Sequence, residues 1–292
     1  MRCLFCKRDS SATKSIEHII PESLGNNTFI LPLGYVCDKC NNYFAREVEK
    51  PFLEQLDIRL LRFYEAVPNK KKKIPHINGM INLTPVTVHR DLINGEIVTG
   101  IDVSPDLFRK IETEAGEMQL VLPALSQDNL PKQGSITSRF LAKIALEALA
   151  ERLKESDGGL EYLINHQQLD LIRNHARRGT TKEWPCNIRR IYATDTQWLF
   201  DDSSKETSQM IFECDFLFPN IDEKNLNRNE CIQDELYFII ALWGIEFAIN
   251  MGGPEVEGYQ QWLIKHDYAS PLHFGKNQET GKIITNNNQN SI

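Results

Sequence analysis

The chain lacks any run of eighteen or more apolar residues, so a membrane-spanning helix is not expected. It also lacks a secretory pattern: the would-be hydrophobic region near its start is interrupted by Cys6-Lys7-Arg8-Asp9. A disulfide framework is missing too, since the seven cysteines are an odd number and four of them fall into short-spaced pairs. A reducing, cytoplasmic compartment is the expectation. No internal repeat is present, and no phosphate loop surrounds Gly252-Gly253-Pro254, which reads as a turn. Positive charge is scarce overall: 33 Lys+Arg against 40 Asp+Glu give a net −7, which argues weakly against a nucleic-acid partner.

What is present is unevenly placed. Residues 1–75 carry 13 basic against 9 acidic side chains, a net +4, and the remainder carries 20 against 31, a net −11. The basic end finishes on Lys70-Lys71-Lys72-Lys73, which reads equally as a phosphate-binding surface or as a solvated linker. That same end holds Cys3-Leu4-Phe5-Cys6, Glu17-His18-Ile19-Ile20-Pro21 and Cys37-Asp38-Lys39-Cys40-Asn41-Asn42. Two Cys-x2-Cys pairs bring four thiolates to one tetrahedral Zn2+, with no open position, so the metal there is expected to be structural. It compensates for a module too small to bury a sufficient core.

Between the pairs stands a histidine beside a carboxylate. A neutral His18 imidazole could take a proton from water. Glu17 offers an anionic oxygen and Asn41 an amide oxygen, hard ligands suited to Mg2+ or Mn2+. Such an ion would stabilise the extra charge on a pentacoordinate phosphorus.

The order Cys-x2-Cys, Glu-His-Ile-Ile-Pro-Glu-Ser-Leu-Gly, Cys-Asp-Lys-Cys-Asn resembles the HNH endonuclease family in its zinc-stabilised ββα-metal form, over about residues 1–50. The resemblance implies His18 as general base, with Glu17 and Asn41 as ligands of the catalytic divalent ion. The family's middle asparagine belongs a few residues before Cys37, where this chain has Leu31-Pro32-Leu33-Gly34, with Asn26 and Asn27 earlier. Its third histidine would fall on Ala45; Glu47 or Glu49 of the same helix is the replacement, Glu47 reading more readily as an exposed helix face, with Asn42 as a further contributor. Lys14, Lys39 and Arg46 are the basic residues placed to contact flanking phosphates.

The expected fold class is α+β: an N-terminal ββα-metal, treble-clef-like module with a four-cysteine zinc site, plus a larger mixed α/β C-terminal domain. The expected boundaries are a nuclease module at 1–68, a basic linker at 69–77, a C-terminal recognition, regulatory or oligomerisation domain at 78–276, and a disordered tail at 277–292. Short strands are expected over 15–20 and 30–36, separated by Gly25-Asn26-Asn27. A helix capped by Asn41 follows, with Phe44, Val48, Phe52, Leu56, Leu60 and Phe63 on one face, Pro51 as a kink, and its end near Pro68. Residues 85–89 and 96–100 read as a hairpin through Asn94-Gly95. Helices are expected over 138–154 and 160–177, the second stopping at Gly179, and strands within 188–218 and 235–251. His166 and His175 read as surface or core residues, Arg173, Arg177 and Arg178 as a solvated basic corner, and Cys186, Cys214 and Cys231 as buried thiols.

Together these features point to a metal-dependent endonuclease hydrolysing phosphodiester bonds, with DNA as the first substrate and RNA as the other. The context resembles bacterial restriction or anti-phage defence, with room for a homodimer and for a regulatory partner or small-molecule trigger acting through the C-terminal domain. The alternative is a non-catalytic, zinc-organised nucleic-acid-binding regulator.

Overall fold

The computed structural model describes residues 1–113, 118–126, 128–179, 183–199, 207–219, 235–273 and the backbone of Ile283–Ile284. Cys231 and, apart from those two isoleucines, the tail beyond Phe274 lie outside the described residues.

Each Cys-x2-Cys pair sits where the backbone turns. Around the first pair, Cys3 N–H donates to Arg8 O and Lys7 N–H to Cys3 O, closing a knuckle between the bridged residues Arg2 and Asp9. The strands expected over 15–20 and 30–36 shrink to one antiparallel bridge, His18 to Ile30, flanked by the bonds Ile19 N to Phe29 O (3.1 Å) and Leu31 N to Glu17 O (2.9 Å). Pro21 and Pro32 closely follow the paired residues, and neither has an N–H to continue a ladder.

Helix α1 (Asp38–Phe44) starts four residues earlier than expected. Cys37 is its extended N-cap residue, so Asn41 lies inside the first turn rather than capping it. The Asp38 carboxylate is occupied elsewhere, accepting from Ser15 N at 2.9 Å and Lys14 N at 3.2 Å, and so ties the hairpin to the helix start. The long helix expected onward to Pro68 is segmented. Ala45–Glu49 form a π-turn in which Lys50 N–H bonds Ala45 O, followed by α2 (Lys50–Leu53) and α3 (Leu56–Tyr64). Pro51 cannot donate to the turn before it, and one extra residue in that turn relieves the clash.

β1 (Ile77–Ile81), β2 (Thr84–Ile93) and β3 (Glu96–Asp102) form a meander. Helix α4 (Pro105–Thr113) follows, and β4 (Leu120–Val121) pairs back on β1 to give the order β3-β2-β1-β4. The expected Asn94-Gly95 turn is present with positive φ at both residues (53° and 88°). Leu60 and Phe63 of α3 pack on Ile77, Ile81, Val86 and Val88 as a separate small core.

Helix α5 (Ser135–Arg152) is the hub. The expected one-sided apolar face is exceeded: Phe140, Leu141, Ile144 and Ala145 are buried, but so are Lys143 and Glu147 on the same helix. Phe140 stacks on Phe52 of α2, with centroids 3.9 Å apart and planes within 6°. Truncating either ring to alanine should remove about 3–5 kcal/mol of stability. The second expected helix is broken at His166 (ψ 107°) into α6 (Gly159–Asn165), a 3-10 turn and α7 (Asp170–Arg178), which ends on left-handed Gly179 as expected.

β5 (Cys186–Arg190), β6 (Gln197–Leu199), β7 (Thr207–Gln209), β8 (Phe212–Leu217), β9 (Tyr237–Leu242) and β10 (Ile245–Asn250) follow. β5-β10-β9-β8 form one antiparallel sheet; β11 (Ile283–Ile284), β6 and β7 form a smaller one. β9 and β10 are buried on both faces. Phe238, Ile240, Phe247 and Ile249 enter the main core, while Tyr237, Ile239, Ala241 and Ala248 meet Tyr259 and Leu263 of α8 (Glu257–Lys265). The main core also takes Phe5, Ile19, Ile20, Phe44, Val48 and Phe52, so the cysteine-bearing module and the α5–sheet body share one apolar interior.

Candidate metal-dependent nuclease centre

The four expected zinc ligands converge. The Sγ atoms of Cys3, Cys6, Cys37 and Cys40 all lie within 4.8 Å of one another, and Cys6 Sγ is 3.7 Å from Cys37 Sγ. A tetrahedron of four sulfurs around zinc, with bonds of about 2.3 Å, has edges of about 3.8 Å, so the donor set fits Zn2+ in size and chemistry. Without a cation the thiols compete. The hydrogen bond with Cys40 holds Cys3 below the usual thiol range, while the same contact and burial push Cys40 up, and burial raises Cys37. A bound Zn2+ would remove that competition by holding all four as thiolates.

The bridge at His18 is closed by Asn26, which is 1% exposed. Its Nδ2 donates to Ile20 O (2.6 Å) and Phe29 O (2.9 Å), and its Oδ1 accepts from Thr28 N (3.1 Å) and Phe29 N (2.8 Å). One side chain therefore pins both ends of the loop that joins the His18 arm to the Ile30 arm. The sequence signal was the pair of asparagines after Gly25.

His18 is largely buried, with Nε2 3.1 Å from Glu22 Oε1. That contact favours the tautomer with hydrogen on Nε2 and a lone pair on Nδ1, which is buried with no protein partner. Burial moves the imidazole pKa below its ordinary 6.5; Glu22 pulls it back up, and Lys70 and Lys143 push it further down. His18 is therefore neutral at pH 7, as a base must be. Lys70 belongs to an ordered turn in which Asn69 Oδ1 accepts from Lys71 N and Lys73 N.

Glu17 is buried beneath this hairpin, and its Oε1 meets Lys143 Nζ at 2.6 Å. Glu49 Oε1 meets the same nitrogen at 2.8 Å, and Glu147 Oε2 lies 2.9 Å away. Burial opposes the Lys143 charge, but Glu147, Glu17 and Glu49 outweigh it and hold the amine well above its ordinary pKa. Burial raises Glu17 and Glu147, and the neighbouring Glu17 charge raises Glu147 further. The structure thus brings Glu17 and Glu49 together through a lysine that sequence reasoning missed. The legible signal was a Lys and a Glu four apart in an otherwise apolar helical stretch.

Asn41 Nδ2 donates to Ile16 O (3.2 Å) and Ser15 Oγ (3.4 Å), while its Oδ1 accepts from no described residue. Glu17 Oε2 is likewise buried and unpartnered. Both are hard oxygens of the type that ligates Mg2+ or Mn2+. Glu47 is exposed and pairs with Arg46, as the exposed-face reading requires. Lys14, Lys39 and Arg46 are all exposed. Lys39 lines a cavity of about 370 Å³ beside the zinc cysteines, together with Arg8, Asp38 and Arg177. Arg173 is not part of a solvated corner: it is 2% exposed and donates to Leu4 O and Leu163 O. His175 is a core residue bonded to Ser138 Oγ at 2.9 Å.

Residues 3–57 match the family described as HNH endonuclease, over the segment that contains both cysteine pairs, the Glu17-His18 hairpin and the helix start. The match is confined to the N-terminal module and ends at residue 57. No curated protein and no solved structure matches the chain. No described helix is long and apolar enough to cross a membrane.

Proposed function

We propose that this protein is a metal-dependent endonuclease that hydrolyses phosphodiester bonds of nucleic acid, DNA before RNA. The observation that carries the reading is the His18 imidazole: neutral, 3.1 Å from Glu22, and with an unpartnered Nδ1, in the segment that matches the HNH endonuclease family. In the reaction, water oxygen attacks phosphorus as Nδ1 takes its proton, the bond from phosphorus to the 3′ oxygen breaks, and the leaving oxygen acquires a proton from solvent. A divalent ion held by Glu17 and Asn41 would supply charge stabilisation for the phosphorane and the leaving oxygen. Glu49 acts by helping to fix Lys143 against Glu17. Lys70, which lies within electrostatic reach of His18, adds to Lys14, Lys39 and Arg46 as a phosphate contact.

The region 78–276 serves, in this reading, as a recognition, regulatory or oligomerisation part controlling a module at 1–68, with a restriction or anti-phage role in the cytoplasm as the context. A homodimer would place two single-strand cutters on one duplex. The alternative, a zinc-organised binding protein without catalysis, is favoured by one observation: Glu17 Oε1 is already engaged by Lys143. Nicking of supercoiled plasmid with Mg2+, Mn2+ or chelator, beside a single-stranded RNA substrate, separates the two. Metal-dependent nicking supports the enzyme; binding without cleavage under any metal supports the regulator.

A further inference from the structure

Lys143 lies 125 residues from His18 in sequence, yet its Nζ contacts Glu17, Glu49, Glu147 and the His18 carbonyl oxygen, the last at 3.2 Å. Its side chain and that of Glu147 are wholly shut off from solvent, and Glu17 is 5% exposed. A lysine this enclosed does not reach a scissile phosphate. What it grips is the carboxylate next to the proposed base and the peptide that carries that base.

Two features separate this arrangement from an ion pair serving stability alone. A carboxylate buried only for structure is expected to be satisfied at both oxygens, but Glu17 Oε2 has no partner; Glu147 Oε1 is also unpartnered, and of the two only Glu17 stands on the His18 hairpin. The same Lys143 nitrogen also lies 3.2 Å from the His18 carbonyl oxygen, so the group that engages Glu17 Oε1 also holds the peptide next to it. Together they leave Glu17 Oε2 as the free carboxylate oxygen of the hairpin.

We propose that Lys143, held from behind by Glu147, is a positioning residue of the nuclease centre: it fixes Glu17 through Oε1 and leaves Oε2 as the oxygen presented to a divalent cation. The proposal rests on the phosphodiesterase reading above and extends it, because helix α5 lies outside the family match. The centre is therefore complete only when the N-terminal module is seated on α5.

The test is Mn2+ affinity, measured by electron paramagnetic resonance on full-length, zinc-loaded protein without nucleic acid, with single-turnover plasmid nicking alongside. In Lys143→Met, which keeps the apolar stem, Mn2+ should bind at least tenfold more weakly and cleavage should slow about 100-fold, with zinc content unchanged. Unchanged Mn2+ affinity would make Lys143 merely structural, and tighter binding would make it a competitor of the cation; either overturns the proposal. Should Lys143→Met not fold, Glu147→Gln is isosteric and does not touch Glu17. It should weaken Mn2+ binding three- to tenfold, and no change overturns the proposal. Wild type that binds Mn2+ through Glu17, losing it in Glu17→Gln, but cuts nothing would remove the nuclease reading and leave positioning intact. Wild type that cuts, while Lys143→Met binds Mn2+ normally, would remove positioning alone. A wild type that binds no Mn2+ would remove the proposal outright.

Discussion

Replacing Asn26 with alanine removes four hydrogen bonds at once, two donated to Ile20 O and Phe29 O and two accepted from Thr28 N and Phe29 N. At about 1 kcal/mol net per bond the loss is about 4 kcal/mol. Thr28 is exposed, so water recovers its share and about 3 kcal/mol remains. For a chain of this size that is a fall in Tm on the order of 6–12 °C. Asn26→Asp sharpens the test. It keeps both acceptor contacts but places a carboxylate oxygen where an amide now donates to two carbonyls, so it should be no more stable than the alanine variant. Urea unfolding followed by tryptophan fluorescence, in buffer containing Zn2+, reads both variants. A loss below about 1 kcal/mol for alanine, or an aspartate variant more stable than alanine, would refute the claim that this amide closes the hairpin bearing His18.

Three further outcomes follow from the same geometry. The acid limb of the cleavage pH profile should lie below 6.5, because burial favours neutral His18. Glu22→Gln removes a charge that favours the imidazolium and should move the limb to lower pH; Lys70→Gln removes one that opposes it and should move the limb higher. Shifts of the same sign would contradict the assigned surroundings. His175 is pushed down to about 4 by burial and by Arg139, whereas its unfolded value is near 6.5. Its contribution to stability is present above pH 6.5 and is lost as pH falls towards 4, up to about 3 kcal/mol. Denaturant titrations at about pH 7.5 and about pH 4.5, on either side of that window, should show the component in wild type and not in His175→Phe. Finally, Cys40→Ser should abolish stoichiometric zinc binding in a metallochromic assay and unfold the module around Phe5 and Phe44; retained zinc would refute the four-cysteine site.

The zinc pairs, His18 and the hairpin at Asn94-Gly95 were legible because their chemistry lies in short spacings. Turns that use less usual residues were not: Leu83 and Trp243 adopt positive φ (68° and 45°) inside two-residue hairpin loops, where glycine or asparagine is the ordinary signal. The start of α1 was misplaced because the Cys37 knuckle, not an asparagine side chain, begins the helix. Pro51 announced a break, but its form, a π-turn, depends on how Val48 and Phe52 must both reach the core. The centre itself was half visible. Glu17 and Glu49 could be named, but the ammonium that joins them stands on a helix far along the chain, and its burial is settled only by packing.

The central claim is that His18 is the base. The direct measurement is single-turnover nicking of supercoiled plasmid in Mn2+ by wild type and His18→Ala, with binding of the same DNA measured in parallel. The account predicts equal binding within about twofold and a cleavage rate lower by about 10²–10⁴-fold in the variant. Cleavage by His18→Ala at the wild-type rate would contradict it.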